Sequence, residues 1–198
     1  MTSEPRWLSE TERHTWLAYL YAHTLLLEQI EQDLQRDAGM PLAYYQILVI
    51  LSEHPGGAMR MSDLAGAAFY SRSRLSHAVD RLEQRGWVRR EACPNDRRGS
   101  LAVLTAAGRT VLRDAAPQHV ESVRRHLFDL LAEDEQAGLR TASEKLVRHL
   151  LGSLRVSPSI LPDDYFPTDP DCPGSPADED SPARGDTVTS ARDGRDPS

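Results

Sequence analysis

Cysteine is nearly missing from this chain: Cys93 and Cys172 are the two cysteines among 198 residues, far apart and without CxxC spacing. That argues against a disulfide scaffold or a zinc module. Long apolar runs are missing too. The longest, Ile47 to Leu51, is far short of the roughly 20 residues a membrane helix requires. The N-terminus, MTSEPRWLSETERHTW, has no basic start followed by an apolar stretch, so no secretory signal is expected and the protein is expected to be soluble and cytoplasmic. There is no Gly-rich phosphate loop, no GxSxG, no HExxH and no carboxylate pair beyond ordinary surface acids; no catalytic residue is assigned and no enzyme is expected. His14, His23, His119 and His126 are spaced so that they make no metal site on one helix, and neither metal nor cofactor is expected. No internal repeat is visible.

What the chain does have is arginine, unevenly placed. Residues 56–110 carry ten, Arg60, Arg72, Arg74, Arg81, Arg85, Arg89, Arg90, Arg97, Arg98 and Arg109, against five acids, a local net of +5 in a chain of net charge −7. Either this is a solvated surface that happens to use arginine, or the stretch meets something negatively charged. Residues 152–198 differ in kind: four arginines, ten acids and eight of the 13 prolines, a net of −6. With so few apolar groups this tail cannot offset the entropy of ordering itself, and it is expected to be disordered. It is either a solvated appendage or an acidic segment that competes with nucleic acid for the basic surface.

Residues 1–151 read as mainly helical. Ser9 and Glu12 form a capping box for a first helix of about 28 residues, which Gly39 and Pro41 stop. A helix that long outreaches a small domain, so its far end is expected to pack on another chain. LAYYQILVILSEH forms a second helix, ending at ProGlyGly 55–57. MSDLAGAAF and SRSRLSHAVDRLEQRG are two short helices around a tight turn near Tyr70, with Ser71 capping the second: a helix-turn-helix. WVRREA and SLAVLT are strand-like, and CPNDRRG between them supplies the turn of a β-hairpin tipped by arginine. Helix resumes from Ala106 through Leu131, with a kink or break expected at Pro117, and a last helix starting at AEDEQ runs to Gly152.

On a helical wheel Leu75, Ala78, Val79 and Leu82 share one apolar face; Ser73, His77, Asp80 and Gln84 point away, flanked by Ser76, Arg74 and Arg81. A helix with such a face fits the major groove of B-DNA, where arginine bonds guanine and serine or histidine reaches other base edges. Ser71, Arg72 and Ser73 lie in the first turn, where free N–H groups favour phosphate. Arg97 and Arg98 at a turn tip suit the minor groove, with Asp96 fixing the turn and orienting Arg98.

The order of long helix, helix, MSDLAGAAF, SRSRLSHAVDRLEQRGWVRR and DRRGSLAVLTAAG resembles the MarR family of bacterial transcription regulators, with the wing signature at Asp96, Arg98, Val103, Leu104, Thr105 and Gly108. The resemblance covers about residues 7–151. It implies a mainly α fold: a winged helix-turn-helix at about 42–109 with one small β-hairpin wing, and long dimerisation helices at about 7–38 and 110–151. It implies a homodimer on a pseudo-palindromic double-stranded operator, generally a repressor that a small ligand or oxidant releases. Residue by residue, Ser71, Arg72, Ser73, Arg74, Ser76, His77 and Arg81 match the recognition helix, Arg98 and Arg97 the wing tip, and Leu64, Leu75, Val79, Leu82 and Trp87 the core. Peroxide-sensing relatives use a cysteine near the start of the first helix; here none precedes Cys93, which at the wing base is either a structural small residue or a thiol open to oxidation. An effector pocket would lie between the dimer helices and the winged helix, where Tyr19, His23, Tyr44, Tyr45 and Phe69 offer aromatic surface to a small aromatic or phenolic effector. The alternative is a winged helix used for protein interaction or dimerisation without DNA binding, which leaves the wing arginines without a role.

Overall fold

The computed structural model describes residues 5–93 and 96–154, with backbone alone at 96–98. The tail expected to be disordered, 152–198, lies outside the described residues beyond Leu154. The first helix, α1 (Glu10–Ala38), starts as the sequence predicts: the Ser9 amide donates to the Glu12 carboxylate at 2.7 Å while the Glu12 amide donates to the Ser9 hydroxyl at 3.2 Å. It stops at Gly39, whose φ of +63° suits a residue without a Cβ and lets its N–H donate to the Gln35 carbonyl. Next come α2 (Leu42–Glu53), the short α3 (Met61–Ala67) and α4 (Arg72–Gln84). The hairpin strands β2 (Val88–Cys93) and β3 (Asp96–Leu104) follow, then α5 (Ala106–His126) and α6 (Glu133–Leu154).

Four local expectations are corrected. A strand precedes α3: β1 (Ala58–Arg60) pairs antiparallel with β3, Ala58 opposite Val103 and Arg60 opposite Leu101, so the sheet has three strands in the order β1-β3-β2. Three residues are too few for an alternating pattern, and their extended form comes from the ladder that β3 offers. Strand pairing also extends further into CPNDRRG than the sequence suggested. The ladder pairs Ala92 with Ser100 and then Cys93 with Asp96, so the backbone of 97–99 bulges within β3 and does not belong to the turn. Finally, α5 runs without a break through Pro117. The proline removes one N–H donor, but packing of the helix against α1 and α2 holds the turns on either side. A short 3₁₀ turn, 128–130, then takes the place of the expected helix to Leu131.

The core lies under the helix-turn-helix, where Leu48, Leu51, Leu64, Leu75, Val79, Leu82, Val88 and Ala102 are all buried. Gly108 joins α5 to the base of the hairpin. A Cβ there would sit 2.1 Å from the Trp87 carbonyl oxygen, so only glycine allows this approach. The Thr105 hydroxyl caps α5 by accepting from the Gly108 amide at 3.0 Å and lies 2.7 Å from the Gly86 carbonyl. Among the described residues no helix is long and apolar enough to cross a membrane.

Candidate nucleic-acid interface

Helix α4 divides as its sequence pattern requires. Leu75, Val79 and Leu82 are buried and Ala78 packs on the core, while Arg72, Ser73, Arg74, His77, Arg81 and Gln84 are exposed. The Ser71 hydroxyl accepts from the Arg74 amide at 3.2 Å and completes the cap. The Arg74 guanidinium stacks on the Tyr70 ring, 4.2 Å from its centroid, and the Tyr70 hydroxyl donates to Gln46 Oε1 at 2.9 Å. Burial pushes the Tyr70 phenol up, with Arg74 pulling it down and Glu31 adding to the rise. Arg81 donates to Gln84 Oε1 at 3.1 Å.

Two residues on the helix face differ from the wheel. Ser76 and Asp80 are half-buried and turn toward strand β2. There Arg90 pairs with the Asp80 carboxylate, donates to Glu83 Oε2 at 3.0 Å, and reaches the Ser76 carbonyl at 3.1 Å and its hydroxyl at 3.3 Å. A cleft of about 500 Å³ opens beside this cluster, lined by Arg60, Arg72, Ser76, Asp80, Arg90 and the Gly99–Ser100 segment of β3. The side chains of Asp96, Arg97 and Arg98 lie outside the described residues, so the wing-tip assignment rests on sequence alone.

An apolar cavity of about 440 Å³ lies between α1, α2, α5 and the turn before α4. Of the five aromatic candidates, Tyr45 and Phe69 line it; His23 and Phe69 line a neighbouring cleft of about 570 Å³ that also contains Arg74 and Tyr70. Tyr19 and Tyr44 line neither. Tyr19 sits on α1 between Trp16 and His23, one turn from the cleft that His23 lines, and Tyr44 lies beneath the Arg85 guanidinium, because adjacent positions such as Tyr44 and Tyr45 on one helix point to different sides. Phe69 has φ +53°, a left-handed conformation that bulky side chains rarely adopt, and it is 62% exposed.

The polar groups that face the inner cavity are few, and the sequence reading did not single them out for it. His119 stacks on Tyr45 with ring centroids 4.3 Å apart; its Nδ1 is buried without a partner, and burial lowers its pKa. Gln46 lines both spaces. Elsewhere, the buried Asp33 ties α1 to α5, accepting from Ser122 at 2.7 Å, His126 at 2.9 Å, Arg36 at 2.9 Å and Gln29 at 3.1 Å. The Ser122 bond first, then those from His126, Arg36 and Gln29, hold its carboxyl far below the usual range against the opposing effect of burial. Cys93 is a free thiol, buried at the end of β2. Among the described residues no group of three His, Cys, Asp or Glu side chains is gathered to hold a metal ion.

Comparison with known proteins bears on this geometry directly. A family model described as "MarR family" matches residues 38–99, from the end of α1 into the hairpin. The HTH-type transcriptional regulator YfiV of Bacillus subtilis is 30% identical over 131 residues, 66% of this chain and 79% of its own length. The transcriptional repressor MprA of Escherichia coli is 29% identical over 132 residues, 66% of this chain and 73% of its own. Among solved structures, Sco3205, a MarR family transcriptional regulator from Streptomyces coelicolor in complex with DNA, superposes with a TM-score of 0.71 at 49% identity, covering 75% of this chain and 93% of that one. These relatives are regulators of transcription rather than enzymes. The winged helix-turn-helix built here by α3, α4 and the β2–β3 hairpin, with its flanking long helices, therefore places the chain in the MarR family of transcriptional regulators.

Proposed function

We propose that the protein is a homodimeric, sequence-specific DNA-binding repressor that a small molecule releases. The observation that carries the DNA reading is the outer face of α4: Arg72, Ser73, Arg74, His77 and Arg81 are exposed together on a helix whose opposite face is locked into the core. Arginine on such a helix reaches guanine O6 and N7 in the major groove, and Ser71 and Arg72 at its first turn suit a phosphate. Ser76, assigned to the same surface from sequence, is occupied by Arg90 and supports the helix from the side. Arg98, and with it Arg97, serves the minor groove beside it, with Asp96 orienting Arg98. Sco3205 was solved with DNA and MprA is named a repressor, which supports both parts of the reading.

Dimerisation follows from what the long helices leave uncovered. Of the 22 residues of α6 only Leu151 is buried, while Leu139, Leu146, Leu150 and Leu154 are exposed; α1 likewise exposes Trp16, Tyr19, Leu20, Leu25 and Leu27. A second copy of these helices covers both faces and sets two α4 helices on one duplex. The effector enters the apolar cavity beside Phe69, which lies two residues before the Ser71 cap of α4. Fluorescence anisotropy on duplexes enriched from a random pool tests the central reading. Affinity is expected to fall by orders of magnitude between about 50 and 200 mM salt; equal affinity at both would overturn it.

A further inference from the structure

We propose that Arg90 is the positioning residue of the DNA-reading surface: from strand β2 it holds the middle of α4 and so sets the angle of that helix relative to the wing. The inference rests on the DNA-binding reading above. The Arg90 backbone is fixed by its ladder partner Ala102, which is fully buried, and its amide donates to Glu83 Oε1 at 3.0 Å. Its guanidinium then spans Ser76, Asp80 and Glu83, which form one stripe over two successive turns of α4. A planar fork of five donors can bind two carboxylates, a main-chain carbonyl and a hydroxyl at once; a lysine ammonium, with three donors at a single point, cannot.

Two consequences follow from that geometry. Ser76 is a support and not a reader of bases, since its hydroxyl and its carbonyl both face the Arg90 guanidinium. The helix and the hairpin also approach a duplex as one rigid piece. Contacts to phosphate tolerate small rotations of a helix, whereas contacts to base edges do not. Loosening the Arg90 clamp therefore costs sequence discrimination before it costs non-specific affinity.

The test uses the full chain and selection from a random duplex pool, followed by titration of the enriched duplex and a scrambled duplex of equal length. Arg90→Lys keeps the charge and removes the fork. It is expected to enrich a broader motif and to lower the ratio of specific to scrambled affinity about tenfold, with the scrambled affinity within about threefold of the parent. The double variant Asp80→Asn, Glu83→Gln loosens the clamp from the helix side and is expected to lower the same ratio. Ser76→Ala is expected to retain the parent motif. An unchanged ratio in both clamp variants, even with a lowered melting temperature, assigns Arg90 a merely structural role and overturns the proposal, as does a changed base preference in Ser76→Ala. A parent protein that enriches no sequence overturns the DNA-binding reading itself, and the Arg90 proposal with it.

Discussion

Single residues carry this fold through close approach and burial. Gly108→Ala would drive a Cβ onto the Trp87 carbonyl and within 2.7 Å of Leu104 Cδ1, and the backbone cannot retreat without pulling α5 off the hairpin. A loss of about 1–3 kcal/mol is expected, read as a lowered midpoint in thermal or denaturant unfolding. His119 acts through its protonation. Burial lowers its folded pKa, so the unfolded chain binds the proton at higher pH than the folded one. Stability is then expected to decline as pH falls through about 6.5, and His119→Leu to flatten that slope in melts recorded from about pH 5 to 8. The capping role of Ser71 was legible at this scale, because a cap and the helix it starts are neighbours in sequence. The clamp at Arg90 was not. Arginine on a short strand looks the same whether it faces solvent or a helix, and its partner Ser76 lies 14 positions earlier.

At the scale of elements, the proposed function divides the labour of recognition between α4 and the hairpin. Arg74→Ala and His77→Ala are expected to alter which sequences are enriched, because both side chains stand on the exposed face of the helix proposed to enter the groove. Arg98→Ala is expected to weaken binding to most duplexes by a similar factor and to reduce the salt dependence. Selection and salt titration on the three variants check the division; identical motifs in all of them would contradict it. The helices and the hairpin were legible as elements because their periodicity and caps are local signals. Strand β1 was not, being three residues long and defined only by its partner β3. Nor was the continuity of α5 through Pro117, which depends on packing that no local pattern records.

For the whole molecule, the uncovered apolar faces of α1 and α6 make the strongest demand. Leu146→Glu with Leu150→Glu places two charges where the proposed partner helices meet. Light scattering after gel filtration is expected to show the dimer replaced by monomer, with affinity for the enriched duplex falling at least about tenfold as two half-sites cease to be held together. A variant that remains dimeric would place the interface elsewhere. At this scale charge is divided as well: the segment 56–110 is positive by five although the whole chain is negative by seven, so attraction to a polyanion belongs to one part of the molecule.

By itself the sequence determined the order of helices, the caps at Ser9 and Ser71, the amphipathic split of α4 and the concentration of arginine around it, since each is set by residues within a few positions of one another. Only the tertiary structure decided that Arg90 reaches Ser76 and Asp80, that Asp33 meets Ser122 and His126 some 89 and 93 positions away, and that His119 faces an apolar cavity with a nitrogen unpaired. Those contacts depend on how packed helices are rotated about their axes, and that rotation is settled by the fit of the whole core rather than by any local pattern.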